Sequence, residues 1–82
     1  ETTIQYELSA SCEVRLDIYN LLGQSVRSLA LGEQKMGRYS VRWDGKDDRG
    51  GDVASGIYIY RLEAFTNQRQ DFVESKRMLL LR

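Results

Sequence analysis

Glu13-Val14-Arg15-Leu16-Asp17-Ile18-Tyr19, residues 13 to 19, decides the fold class. Val14, Leu16 and Ile18 fall on one side of this stretch, and Glu13, Arg15 and Asp17 on the other. A period of two suits a strand with one dry and one wet face. On a helix the same apolar residues would spread around the circumference and form no buried stripe. The pattern recurs outward from here. Ile4, Tyr6 and Leu8 alternate with Thr3, Gln5 and Glu7, while Tyr39, Val41 and Trp43 alternate with Arg38, Ser40 and Arg42. From Gly56 to Phe65 the chain is aromatic and β-branched, with Tyr58, Tyr60, Leu62 and Ala64 on one face. Ile57 and Ile59 occupy the other, which predicts a strand covered on both sides near its start.

Turn chemistry separates these runs. Asn20-Leu21-Leu22-Gly23-Gln24 places a glycine where a hairpin needs positive φ. Gly32 and Gly37 bracket a polar link, and Gly45, Gly50, Gly51 and Gly56 punctuate a longer one. Between Ser25 and Leu31 the alternation breaks near Leu29, which predicts a short edge strand with a bulge there. A polar loop from Thr66 to Asp71 is expected to lead into a last strand from Phe72 to Leu81. Six to seven short strands without a helical stretch indicate an all-β fold, an antiparallel sandwich with Trp43 and the strand tyrosines between its sheets.

The chain has 82 residues, room for one domain. Twelve Lys and Arg balance twelve Asp and Glu. A nucleic-acid binder needs a basic surplus to neutralise phosphates, and a polybasic membrane tether needs one too. The longest apolar run, Met78 to Leu81, is too short to span a bilayer, so no direct membrane insertion is expected. Histidine is absent, which removes the usual triads, dyads and imidazole metal sites. The single cysteine, Cys12, heads an alternating segment and reads as a small buried filler. No residue has a catalytic motif behind it, so the expected activity is binding and not chemistry. The chain begins at Glu1 and not at Met, and is expected to be part of a longer protein.

Three segments carry a resemblance. Val14 to Val26 is similar to the signature V-x-L-x-I-Y-N-x-L-G-Q-x-V of the C-terminal sorting domains (type A) of the type IX secretion system. Gly37 to Trp43, Asp44 to Gly50 and Ser55-Gly56-Ile57-Tyr58 resemble a core, G-x-x-x-x-x-W-D-G-x-D-x-x-G followed by S-G-x-Y. That core is shared with the immunoglobulin-like domain of flagellar hook-capping proteins. Lys76-Arg77-Met78-Leu79-Leu80-Leu81-Arg82 resembles the closing K-x-M-L-L-L-R strand of the sorting domains. The resemblance implies an immunoglobulin-like sandwich spanning residues 1–82, attached to a secreted N-terminal cargo domain. It also implies delivery through the periplasm and outer membrane to the cell surface. The expected partners are components of the secretion apparatus and a sortase-like peptidase at the outer membrane. Two departures stand out: these 82 residues contain no Pro, so the Asn/Pro-rich lead-in usual before the first strand is expected to lie upstream of them, and Thr66 to Gln70 reads as a loop longer than a tight hairpin.

Four sets of residues are candidate sites. Asp44, Asp47, Asp48 and Asp52 lie within nine residues among three glycines. Clustered carboxylates suit Ca²⁺, yet Lys46 stands where a ligand belongs, and turn-stabilising aspartates are the stronger expectation. Leu21, Leu22, Gly23 and Gln24 form either a docking knob or a hairpin whose leucines cover the open end of the sandwich. Met78, Leu79, Leu80 and Leu81 are apolar on both faces, which fits either a central strand or a recognition surface. Lys76, Arg77 and Arg82 flank them, as gatekeepers against aggregation or as a guide toward an acidic receptor patch. Tyr39, Trp43, Tyr58 and Tyr60 would suit a sugar platform of an accessory carbohydrate-binding module, but their alternation favours the core.

Overall fold

The computed structural model describes residues 2–67 and 69–81, the side chain of Asp71 excepted. Six strands follow in chain order: β1 (Thr2–Leu8), β2 (Cys12–Tyr19), β3 (Ser25–Gln34), β4 (Gly37–Trp43), β5 (Gly56–Thr66) and β6 (Arg69–Leu80). They form an antiparallel sandwich of two unequal sheets: one pairs β1 with β4, and the other runs β3-β2-β5-β6. The immunoglobulin-like, all-β expectation stands.

Alternation places the core. Val14, Leu16 and Ile18 of β2 and Leu62 of β5 are wholly buried, and Ile4, Leu8 and Trp43 of the small sheet close over them. The Trp43 ring meets Tyr58 edge-on with centroids 5.1 Å apart, and its Nε1 donates to the Lys46 carbonyl at 2.9 Å. Tyr6 and Tyr39 stack at 5.4 Å across the β1–β4 pair. A phenol is tolerated inside only when its hydroxyl finds a partner. Tyr58 donates to the Ala54 carbonyl at 2.6 Å, Tyr39 to the Lys35 carbonyl at 2.5 Å, and Tyr6 to Gln34 Oε1. Cys12 is buried, as a filler should be.

Five expectations need correction. The last strand begins at Arg69, three residues before Phe72. Thr66 pairs with Arg69 and Asn67 takes the left-handed conformation (φ 51°), so the polar stretch is a tight hairpin and not a long loop. Polar residues are tolerated there because β6 lies at the sheet edge, where Gln70 Nε2 donates to Glu63 Oε2 at 2.6 Å. β3 continues through Gly32 (φ 76°) to Gln34. Its bulges fall at Val26 and Leu31, which pack against the core, while Leu29 sits in register opposite Leu16. Ile57 is exposed and not covered. Asp17, on the supposedly wet face, is 6% exposed because it lies on an inner strand between Ser28 and Arg61. Finally, β6 is not central: it is the edge of the larger sheet, and its apolar tail alternates, with Leu80 wholly buried and Leu79 exposed.

Candidate functional site

Antiparallel order brings two separated candidates to one end of the sandwich. Tyr19 pairs with Ile59, Ile59 with Arg77, and Ile57 with Leu79. The end of β2, the start of β5 and the end of β6 therefore meet, and the turn after Tyr19 lies about 10 Å, two strand spacings, from the tail. Leu21, Leu22, Ile57, Leu79 and Leu81 are all exposed at this end. The leucines of the turn do not cover the open end of the sandwich; Leu22 is 84% exposed. The turn is self-sufficient without them. Asn20 Oδ1 accepts from the Leu22 and Gln24 amides, each at 3.0 Å, and Asn20 Nδ2 donates to Gln24 Oε1 at 2.7 Å. Gly23 supplies the positive φ of 81°. With backbone needs met locally, both leucines are left to solvent.

The tail divides by face. Met78 and Leu80 point toward the core; Arg77 and Leu79 point outward beside Ile59 and Ile57. Lys76 shares the inner face and lies 3.2 Å from Glu74. Arg82, also a candidate, lies outside the described residues.

The acidic loop is organised as a turn. Asp47 Oδ1 accepts from the amides of Arg49 (3.0 Å) and Gly51 (2.9 Å), and Asp44 Oδ1 from that of Lys46 (3.0 Å). Asp52 lies 3.5 Å from Lys46 Nζ. Asp48 instead reaches β3: its Oδ1 accepts from the Ser28 amide at 3.0 Å and its own amide donates to the Val26 carbonyl at 3.1 Å. Among the described residues, no three carboxylate or thiol groups gather closely enough to hold a metal ion. The loop's evident work is to lie along the free edge of β3.

A groove of about 640 Å³ opens where the two-stranded sheet fails to cover the inner face of β6. Tyr6 and Glu7 of β1, Arg38 and Tyr39 of β4, and Glu74 and Lys76 of β6 line it. Tyr60 donates to Glu74 Oε1 at 3.4 Å; burial first, and then the Glu74 charge, push its phenol upward. Burial does the same to Tyr6. The hydrogen bond that Lys76 donates to the Glu74 carboxylate raises the Lys76 ammonium. Sequence alternation signals that Glu74 and Lys76 share a face, but not that this face is the inner one.

The aromatic candidates for a sugar platform are interior: Trp43, Tyr58 and Tyr60 are buried, and Tyr39 is half-buried under its stack with Tyr6. No flat exposed set results.

Comparison with known proteins fits this picture. No curated protein matches the chain. The solved structure of FlgD from P. aeruginosa is similar, with a TM-score of 0.81 and 26% identity over 89% of this chain and 56% of that one. The chain thus spans a little over half the length of that protein. The FlgD Ig-like domain family matches residues 1–68. That is most of the sequence and takes in β1 to β5, so the chain belongs to the FlgD Ig-like domain family.

Proposed function

We propose that this domain is a non-catalytic interaction module, an immunoglobulin-like scaffold of the hook-cap kind that contributes contacts to a larger protein or assembly. What carries the reading is the family match across β1 to β5, on a body whose Tyr6, Trp43, Tyr58 and Tyr60 are spent on packing. The exposed apolar cluster of Leu21, Leu22, Ile57, Leu79 and Leu81 is the surface through which it would act. Exposed apolar patches of this kind are common at protein–protein contacts.

A second reading is favoured by a specific observation: the match ends at residue 68, and β6 with its apolar tail lies beyond it. That tail carries the likeness to the closing strand of type IX sorting domains. On this reading the domain is an address. It takes an attached N-terminal cargo through the periplasm and outer membrane to the cell surface, where a sortase-like peptidase removes it.

One experiment separates the two. The domain is fused behind a periplasmic reporter in a bacterium that has the type IX system, with and without Met78 to Arg82. Surface delivery that is lost on deletion supports the address. Retention of both fusions in the periplasm rejects it and leaves the scaffold. The scaffold reading in turn requires that Leu22→Asp and Leu79→Asp abolish co-purification of the parent's assembly partners; unchanged co-purification would refute it.

A further inference from the structure

Beyond the roles proposed above, we infer that two copies of this chain pair through the free edge of β6, antiparallel and centred on Ser75. Pairing of this kind joins two four-stranded sheets into one continuous sheet. β6 is 12 residues long and forms an outer edge of the larger sheet. Long exposed edges are templates for pairing with another strand. The Leu79 carbonyl is turned off the edge, where it accepts from Thr2 Oγ1 at 2.7 Å. Alternate residues of a strand turn their backbone groups the same way, so Arg77, Ser75 and Val73 present N–H and C=O to the free edge.

Charge then selects the register. An antiparallel copy must match these outward-turned residues with one another, which leaves few centres. Centring on Glu74 would place two carboxylates opposite each other; centring on Lys76 would oppose two ammoniums, and centring on Arg77 two guanidiniums. Centring on Ser75 sets each Glu74 opposite Lys76 of the other copy and each Phe72 opposite Met78. Directly opposite like charges destabilise a strand pair, while opposite charges and apolar pairs support it. Within one chain Glu74 and Lys76 already lie side by side at 3.2 Å, so the two copies complete a square of alternating charge. Phe72 and Val73, both about two-fifths exposed, gain cover at the flanks of the same contact.

Sedimentation velocity over a dilution series tests this directly, with the mass expected to rise from 9.5 kDa toward twice that value. Lys76→Glu opposes carboxylates at both positions and should weaken the dimer about tenfold or more. The swap of Glu74→Lys with Lys76→Glu restores complementarity and should restore the dimer. Mild oxidation of Ser75→Cys should yield a disulfide-linked dimer, because residues facing each other across a strand pair lie about 5.5 Å apart, within disulfide reach. Arg77→Cys, displaced from the two-fold axis, should not cross-link to itself. A mass fixed at 9.5 kDa at every concentration, a dimer indifferent to Lys76→Glu, or equal cross-linking of both cysteine variants would overturn the proposal.

Discussion

The larger sheet has two edges, and they are treated differently. Along β3 the loop between β4 and β5 is laid down and pinned: Asp48 exchanges hydrogen bonds with Val26 and Ser28, and Arg27 donates to the Asp47 carbonyl at 3.3 Å. Along β6 the described residues offer one tie, from Thr2 to Leu79, and otherwise only the strand's own charges. A covered edge is a structural solution to the hazard of unpaired backbone; an edge guarded by charge alone still permits a chosen partner. The difference suggests that β3 belongs to the stability of the domain and β6 to its associations.

The largest expected effect falls on the β3 side. Trp43 holds the loop through its hydrogen bond to Lys46 and packs on Tyr58. Trp43→Ala should cost about 3–5 kcal/mol, much of what a domain this size has in reserve. Urea unfolding with fluorescence-independent detection, such as far-UV circular dichroism, would show the shift. A loss below about 1 kcal/mol would mean that the loop is not anchored through the core.

How much of this contrast was legible in the sequence depends on which residues are asked. Ile4, Leu16 and Trp43 declare their inward faces because alternation is a local property of the chain. Edge or centre is not local. Met78 to Leu81 left central strand and recognition surface both open, because four apolar residues in a row look the same whether both faces are buried or one is left for a partner. Leu21 and Leu22 stayed open between knob and cover in the same way: their burial depends on what lies across the open end of the sandwich, and nothing close in the chain encodes that. Asn67 hid a tight hairpin because asparagine enters the left-handed region less conspicuously than glycine. The acidic loop was legible as turns, but not as the cover of β3, since the partner of Asp48 lies 20 residues away.

A smaller effect is expected from Asp48→Ala, about 1 kcal/mol, the scale of one net hydrogen bond to a partly exposed group. Hydrogen exchange gives the sharper reading. In dilute solution the Ser28 amide should be protected in the parent chain and lose that protection in the variant, while the Ser75 amide exchanges rapidly in both. Equal protection of the two amides would erase the contrast between the edges. Gly23→Ala, at the hairpin that feeds β3, should cost a similar amount, about 1 kcal/mol, because φ is 81° and the Cβ meets strain and not a neighbour. A thermal melt of each variant against the parent would measure both.

The smallest effect belongs to the β6 side and appears only in alkali. Tyr60 faces Glu74 and Lys76 across the β5–β6 pair, and Tyr6 lies across the groove beside Tyr39 and Gln34. Burial is the leading cause that raises both phenols above the ordinary value of 10.0, and the Glu74 hydrogen bond raises Lys76 above 10.5. In each case the folded chain holds its proton more tightly than the unfolded one. The stabilisation is therefore complete below about pH 10 and is lost as pH rises through the higher folded values. Urea midpoints should stay level up to that point and then decline. Tyr60→Phe should flatten part of the decline and Tyr6→Phe a further part, with the share of Lys76 remaining in both variants. If Tyr60→Phe left the decline unchanged, alkaline weakening would not arise where Tyr60 meets Glu74 and Lys76, and the β5–β6 pair would play no part in it.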